Sequence, residues 1–337
     1  MKAVVIGAGR MGRRHMQVVR GLGLDLVGIV DRSPESLRIA GEETSVPADR
    51  RFLEVEKALD RQPELVIVAT TAPSHLLYAQ QAAGAGAKFV LCEKPLATSL
   101  ADCDAILSAC ARSGTRLAVN HQMRFMEQYT LTRDIVRSDA IGGLSSVTVI
   151  GGNFGLAMNG THYFEMFRYM CGEPARDAAA WFSPAIVPNP RGAEFEDRAG
   201  AVRLSTASGK RFYLDVGTDQ GHGIQAIYAG PRGQVLVDEL AGAMRITHRR
   251  AEDHGLPTTR YGMPAEILTR SITPADALAP TRSVLEALLS GRDYPTGEDG
   301  RLAVATLVAG YLSNENGHRT VKVDDAELPL DRRFPWA

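Results

Sequence analysis

The stretch VVIGAGRMG near the N-terminus limits the fold more than any other feature of this chain. A short apolar run from Ala3 to Gly7 reads as a strand, and a helical pattern follows from about Met11 to Leu22. Gly7, Gly9 and Gly12 thus stand in G-x-G-x-x-G spacing between a strand and a helix. In a parallel α/β unit the first glycine makes a tight turn and the second lets the backbone approach a pyrophosphate. The third lets helix and strand pack closely. The helix N-terminus, with unpaired N–H groups and the positive end of its dipole, favours the phosphates. Arg10 and Met11 lie inside this loop and join the candidate cofactor-binding positions. The next strand, "LDLVGIV", ends on Asp31, nineteen residues after Gly12. A carboxylate there accepts hydrogen bonds from adenosine ribose hydroxyls and repels a 2′-phosphate, which favours NAD. Arg32 beside it keeps NADP open, because a guanidinium can pair with that phosphate, stack on adenine or simply stay solvated.

The strand–helix alternation runs on through the first 120 residues. "SPESLRIAGEE" (33–43) opens a helix with Ser33 as cap and Pro34 at its first position. "ELVIVAT" (64–70), "KFVLC" (88–92) and "RLAVN" (116–120) are strands apolar on both faces, with helices from about Ser74 and Ser99 between them. Such strands imply a parallel sheet covered on both sides, a doubly wound Rossmann domain over residues 1–121. The rhythm then changes. Helix patterns near 126–137 and 161–171 flank a strand at 144–152, and hairpin-like runs occupy residues 199–249. Alternating patterning and short glycine-containing turns predict a mostly antiparallel sheet in a second, α+β domain over residues 122–337. Residues 251–280, rich in Pro, Thr and Gly, read as a surface excursion; helices near 281–290 and 298–313 and a strand at 319–323 close the chain.

Composition excludes several classes. A net charge of −1 over 337 residues gives no electrostatic basis for binding nucleic acid or an anionic membrane. No apolar run approaches the roughly 20 residues of a membrane span. The N-terminal apolar run is too short for a signal peptide and no A-x-A site follows, so the expectation is a cytoplasmic protein. Cys92, Cys103, Cys110 and Cys171 form no C-x-x-C pair and have no histidine cluster at ligand spacing, which predicts neither a disulfide framework nor a bound metal.

"FVLCEKPLATS" (89–99) begins as a buried strand and places Glu93, Lys94 and Pro95 at its end. With "GAGRMGRRH" (7–15), "ATTAPSHLLYAQQAAGAGAKFVLCEKPLATS" (69–99), "VNHQMRF" (119–125), "NGTHYFEMFRYMCG" (159–172) and "YPTGEDGRLAVATLVAGYLSNENGHRTVKV" (294–323), it resembles the glucose–fructose oxidoreductase/inositol dehydrogenase (Gfo/Idh/MocA) family over nearly the whole chain. The resemblance implies a Rossmann domain followed by a domain with a large open antiparallel sheet, on which dimers or tetramers are built. It implies NAD(P)-linked hydride transfer at a hydroxyl-bearing carbon, commonly of a sugar or cyclitol. Lys94, in the E-K-P motif, is implied to lie beside the nicotinamide and to orient or polarise the reacting hydroxyl. The position suits that role, since ligands of open α/β sheets bind beyond the carboxyl ends of the strands. Glu93 can anchor this loop or the ribose. Thr70, Thr71 and Pro73 match the stretch along the cofactor near the nicotinamide ribose; His75 either joins them or caps and packs a helix. Asn120 is implied to approach nicotinamide or substrate. Arg124 either pairs with a substrate anion or makes a structural salt bridge, and Glu165 reads as a partner for nearby arginines.

His162 matches the family histidine that moves the hydroxyl proton or holds the hydroxyl, a task suited to a group with a pKa near 6.5. Many members carry Asp or Asn four residues earlier. Here that position is Met158, which cannot carry a proton, and Asn159 stands next to it as a substrate-binding amide. Two other readings stay open: an NAD-dependent glycosidase working by transient oxidation, and a non-catalytic dinucleotide-binding regulator.

Overall fold

The structure, a computed structural model, describes residues 1–152, 154–257, 264–324 and 326–337. Two compact units make it up: Met1–Gln122 with Ala277–Val304 and Pro329–Ala337, and Met123–Asp276 with Ala305–Leu328.

The first unit starts with the expected alternation: β1 (Lys2–Ile6), α1 (Arg10–Gly21), β2 (Asp25–Val30), α2 (Pro34–Glu43), β3 (Arg51–Phe52), α3 (Val55–Leu59), β4 (Leu65–Val68), α4 (His75–Gly84), β5 (Phe89–Cys92), α5 (Leu100–Ser113) and β6 (Arg116–Val119). The strands form one parallel sheet in the order β3-β2-β1-β4-β5-β6. Winding reverses between β1 and β4, and the crevice beyond the carboxyl ends of the strands at such a switch point is where α/β sheets bind dinucleotides. The run of β-branched and leucine residues in β4 is wholly buried, as a strand covered on both faces must be. Local signals set the helix starts. Ser33 Oγ accepts from the Ser36 N–H at 3.2 Å, and Ser99 Oγ from the Asp102 N–H at 3.1 Å.

The second unit contains α6 (Glu127–Arg137), β7 (Ser146–Gly152), α7 (Thr161–Cys171), β8 (Ala175–Val187), β9 (Asp197–Thr206), β10 (Arg211–Gly217), β11 (Gln225–Gly230), β12 (Gly233–Asp238), β13 (Ala243–Arg249), β14 (Ala265–Ser271) and β15 (Val321–Lys322). Among the described residues these strands build one sheet, ordered β14-β13-β12-β11-β7-β10-β9-β8-β15. All neighbours are antiparallel except β7 and β10, which run parallel. The two expected hairpins are β9–β10 and β11–β12. Strand alternation gives the sheet two unlike faces: Phe212, Leu214 and Val216 of β10 are buried, while Tyr213 and Asp215 between them face outward. Phe212 meets Phe164 and Phe167 of α7, at ring separations of 6.2 and 5.2 Å, so α7 lies on the inner face.

Two strands depart from the sequence expectation. β8 runs thirteen residues through an alanine-rich segment whose pairing with β9 slips in register twice, so no clean alternation marks it. β14 lies within the expected surface excursion, every residue exposed, and its pairing to β13 is a matter of backbone rather than of a buried side-chain face. Residues 258–263 of that excursion lie outside the described residues. The chain then forms α8 (Leu278–Ser290), which packs on β5, β6 and α1, and α9 (Gly297–Glu315), whose residues to Val304 belong to the first unit.

Glu239, after β12, is a buried acid in the second unit. It accepts hydrogen bonds from the Tyr163 hydroxyl at 2.9 Å and from the Tyr129 hydroxyl, tying α6 and α7 to the sheet. Burial pushes its pKa up from 4.5 to about 7, against the two tyrosine hydrogen bonds, which pull it down. Between these values the folded protein holds a proton that the unfolded chain has released. The group's contribution to stability is therefore present in full below pH 4.5 and is lost as pH rises to about 7, a swing of about 3 kcal/mol. Thermal midpoints measured from pH 5 to pH 8 should show Glu239→Gln gaining on the native protein as pH rises. Parallel profiles for the two proteins would refute this.

Candidate active site

Every candidate position in the first unit stands at or just beyond the carboxyl end of a strand. Gly7 follows β1 with φ +101°, a backbone state that favours glycine, and a Cβ there would lie 2.7 Å from the Ala69 carbonyl group after β4. A Cβ on Gly12 would lie 1.8 Å from the Gly7 carbonyl oxygen, so only glycine lets α1 come this close. A Cβ on Gly9, by contrast, meets nothing within 4 Å. Gly9 gives α1 no side-chain cap, and no acid occupies the first turn, which begins with Arg10 and Met11. This glycine cradle with an uncapped helix N-terminus has the donors and the clearance that a pyrophosphate needs, so these residues fit a dinucleotide.

Asp31 locks the cradle to β2. Its two carboxylate oxygens accept from the Ala8 N–H and the Ser33 N–H, each at 2.8 Å. A carboxylate has about four lone-pair positions, so acceptor capacity for ribose hydroxyls remains. Arg32 is exposed.

Beyond β5, Glu93 is only 3 % exposed. Its Oε1 lies 2.8 Å from His15 Nε2 on α1 and accepts from Asn120 Nδ2 at 2.9 Å, while Oε2 faces the Lys94 N–H at 3.3 Å. Burial alone raises the Glu93 pKa, but His15, Lys94 and the Asn120 amide outweigh it and hold the carboxyl well below the usual range. Glu93 is thus an anion that pins the backbone of Lys94 between α1 and the end of β6. Lys94 itself is 7 % exposed and precedes a cis peptide bond to Pro95. His75 supports the same turn from the other side. Its Nδ1 lies 3.0 Å from the Pro95 carbonyl and its Nε2 3.2 Å from the Thr70 carbonyl. Burial lowers its pKa, and a neutral ring donates to one of these oxygens at a time. His75 thereby joins the Lys94 turn to the Thr70–Pro73 segment, where Ser74 Oγ donates to Thr70 Oγ1 at 2.8 Å and the Ser74 N–H to the Thr71 carbonyl. Two of the resemblance-derived positions, Glu93 and Asn120, are therefore bonded directly to each other. His15 closes the GAGRMGRRH stretch, three residues after Gly12 on α1, but no spacing in the sequence pairs it with Glu93.

In the second unit, His162 is buried in the first turn of α7, directly after a single π-helical turn, Leu156–Gly160. Met158 and Asn159 lie on that turn, half-buried. Arg124 pairs with buried Glu165 of α7 and stacks on Tyr169 at 5.2 Å. Arg168 holds the other oxygen of Glu165 at 2.6 Å. Of the two roles open for Arg124, this arrangement supplies the salt bridge, and Glu165 is the arginine partner it was expected to be.

Residues 1–121 match the family model described as an oxidoreductase family with an NAD-binding Rossmann fold. Over 97 % of its length this chain is 29 % identical to the D-apiose dehydrogenase of Paraburkholderia graminis, of which the match covers 92 %. It is 35 % identical to the inositol 2-dehydrogenase of Acidothermus cellulolyticus over 41 % of each chain. The crystal structure of aldose–aldose oxidoreductase from Caulobacter crescentus, complexed with glycerol, superposes with a TM-score of 0.75 at 25 % identity, covering 96 % of this chain and 99 % of that one. Residues 1–121 thus match the Gfo/Idh/MocA oxidoreductase family model with its NAD-binding Rossmann fold, and the relatives to which the chain is similar are named dehydrogenases. No helix among the described residues is long and apolar enough to cross a membrane.

Proposed function

We propose that this protein is an NAD-dependent dehydrogenase or reductase that interconverts a carbinol and a keto carbon on a sugar, sugar derivative or cyclitol. The observation that carries this reading is Lys94, a nearly buried lysine at the carboxyl end of β5 whose backbone N–H is held by the buried Glu93 carboxylate, in a sheet of the NAD-binding type. The named relatives act on D-apiose and inositol, which are polyhydroxylated molecules. NAD supplies the hydride acceptor when bound. Gly7, Gly9, Arg10, Met11 and Gly12 cradle its phosphates, and Asp31 receives the adenosine ribose. Thr70, Thr71 and Pro73 border the nicotinamide end, while Glu93, Asn120 and His75 hold the loops that form it. Lys94 stabilises negative charge developing on the reacting oxygen, and a donor already oriented for that charge pays little reorganisation in the transition state. His162 takes the hydroxyl proton during oxidation and returns it during reduction. Asn159 binds the substrate; Arg124 shapes the site through Glu165.

The reading is tested by offering sugars, cyclitols and nucleotide sugars with NAD and then with NADP. NADH formation from at least one polyol, with NAD preferred, is the expected result. Preference for NADP would reverse the roles given to Asp31 and Arg32, and silence from every compound with both cofactors would overturn the reading. We further propose a cytoplasmic homodimer or homotetramer assembled through the second sheet. Its outward Tyr213 and the exposed Trp181, Ile267 and Leu268 support this, and light scattering that finds only monomer would exclude it.

A further inference from the structure

The π turn ahead of His162 is held by a residue that lies far away in the sequence. Asp197, the first residue of β9, is buried and pairs in the sheet with Val187 of β8. Its Oδ1 accepts from the Ala157 N–H and its Oδ2 from the Met158 N–H, both at 2.8 Å. These N–H groups stand five and four residues before His162, one turn away along the same helix. The turn is wide: the Gly160 N–H donates to the carbonyl of Gly155, five residues back, at 3.2 Å. Single π turns inside helices recur at functional sites, where they re-aim the side chains that follow. Gly155 gives the carboxylate room to approach, since a Cβ there would lie 2.1 Å from the Asp197 carboxyl carbon. A bidentate carboxylate on two consecutive N–H groups fixes both the rotation and the height of the helix start, and its charge suits the positive end of α7.

We propose that Asp197 is the positioning residue for His162. The anionic anchor that position 158 cannot give, because it is Met, comes instead from β9 through the backbone of that same turn. This rests on the reading of His162 as the proton-transfer residue. Asp197 acts only through the aim of the imidazole; removing one of its two acceptor oxygens loosens the turn while the nucleotide cradle stays as it is.

The test is a double-mutant cycle on the polyol that gives the most NADH in the panel. Asp197→Asn is expected to lower kcat by about 10²-fold, the cost of a roughly 1 Å misplacement, with KM for the polyol and the Kd for NAD near native values. Amide hydrogen exchange at Ala157 and Met158 should accelerate. In a His162→Ala background the same change should cost almost nothing further, because it has no imidazole left to aim. Gly155→Ala, which displaces the carboxylate and leaves its charge, is the second variant. It should reproduce the kcat loss and keeps the proposal testable if Asp197→Asn does not fold. Equal losses in the presence and absence of His162, or native kcat in both variants, would overturn the proposal. Native turnover in His162→Ala alone would instead overturn the underlying role of His162.

Discussion

Lys94→Ala is expected to lower kcat by about 10²–10³-fold, the usual cost of removing one preorganised donor from a developing oxyanion. NAD should still bind, because the cradle around Gly7 and Asp31 does not include the lysine side chain. The neighbouring fold should survive too, since the Glu93 bonds to His15 and Asn120 do not involve the Lys94 side chain. Lys94→Arg is not a conservative control: a planar fork replaces a compact ammonium at a site with 7 % exposure. His162→Ala is expected to cost about 10²–10⁴-fold, the range for loss of a general acid–base. Single-turnover measurements should place both losses in the chemical step. Native turnover in both variants, with NAD bound normally, would remove these residues from the reaction.

Gly12→Ala should damage binding rather than chemistry. Its new Cβ would meet the Gly7 carbonyl oxygen at 1.8 Å, and the obstruction is backbone, not a flexible side-chain tip. α1 must therefore move away from β1, which carries its N–H groups away from the phosphates. Overpacking of this kind costs about 1–3 kcal/mol of stability. An equal loss of binding energy corresponds to roughly ten- to hundredfold weaker NAD affinity. Gly9→Ala is the matched control, because nothing lies within 4 Å of its Cβ in the protein. Calorimetry should show its stability unchanged, with weaker NAD binding traceable to the cofactor side alone. A Gly12→Ala protein with native Tm and native NAD affinity would contradict the close packing of α1 on β1.

What could be read from the sequence follows from where each signal sits. The parallel sheet was legible because strands such as Leu65–Val68 are apolar on both faces, and such runs have few other uses. The glycine spacing was legible because all three glycines lie within six residues. α7 was legible because its buried aromatic and methionine residues repeat with helical period. β14 was not, since its fully exposed residues carry no burial pattern to alternate. β8 was obscured by its alanines and register slips. The site's supports were hidden for another reason. Glu93 meets His15 across 78 residues and Asp197 meets Met158 across 39, and neither pair leaves a local spacing. The sequence could name Glu93 as an anchor but not its partners. It could register the methionine at position 158 but not the carboxylate beneath it.

The central claim is hydride transfer from a polyol carbon with Lys94 as the cation that stabilises the reacting oxygen. It is tested most directly with the productive polyol deuterated at the reacting carbon, by following the label into the nicotinamide and counting NADH per substrate consumed. Label should appear in released NADH, one equivalent per substrate oxidised, and formation should slow in step with the Lys94→Ala loss. Label that never reaches the nicotinamide, or hydrolysis of a glycoside with no net NADH, would contradict it.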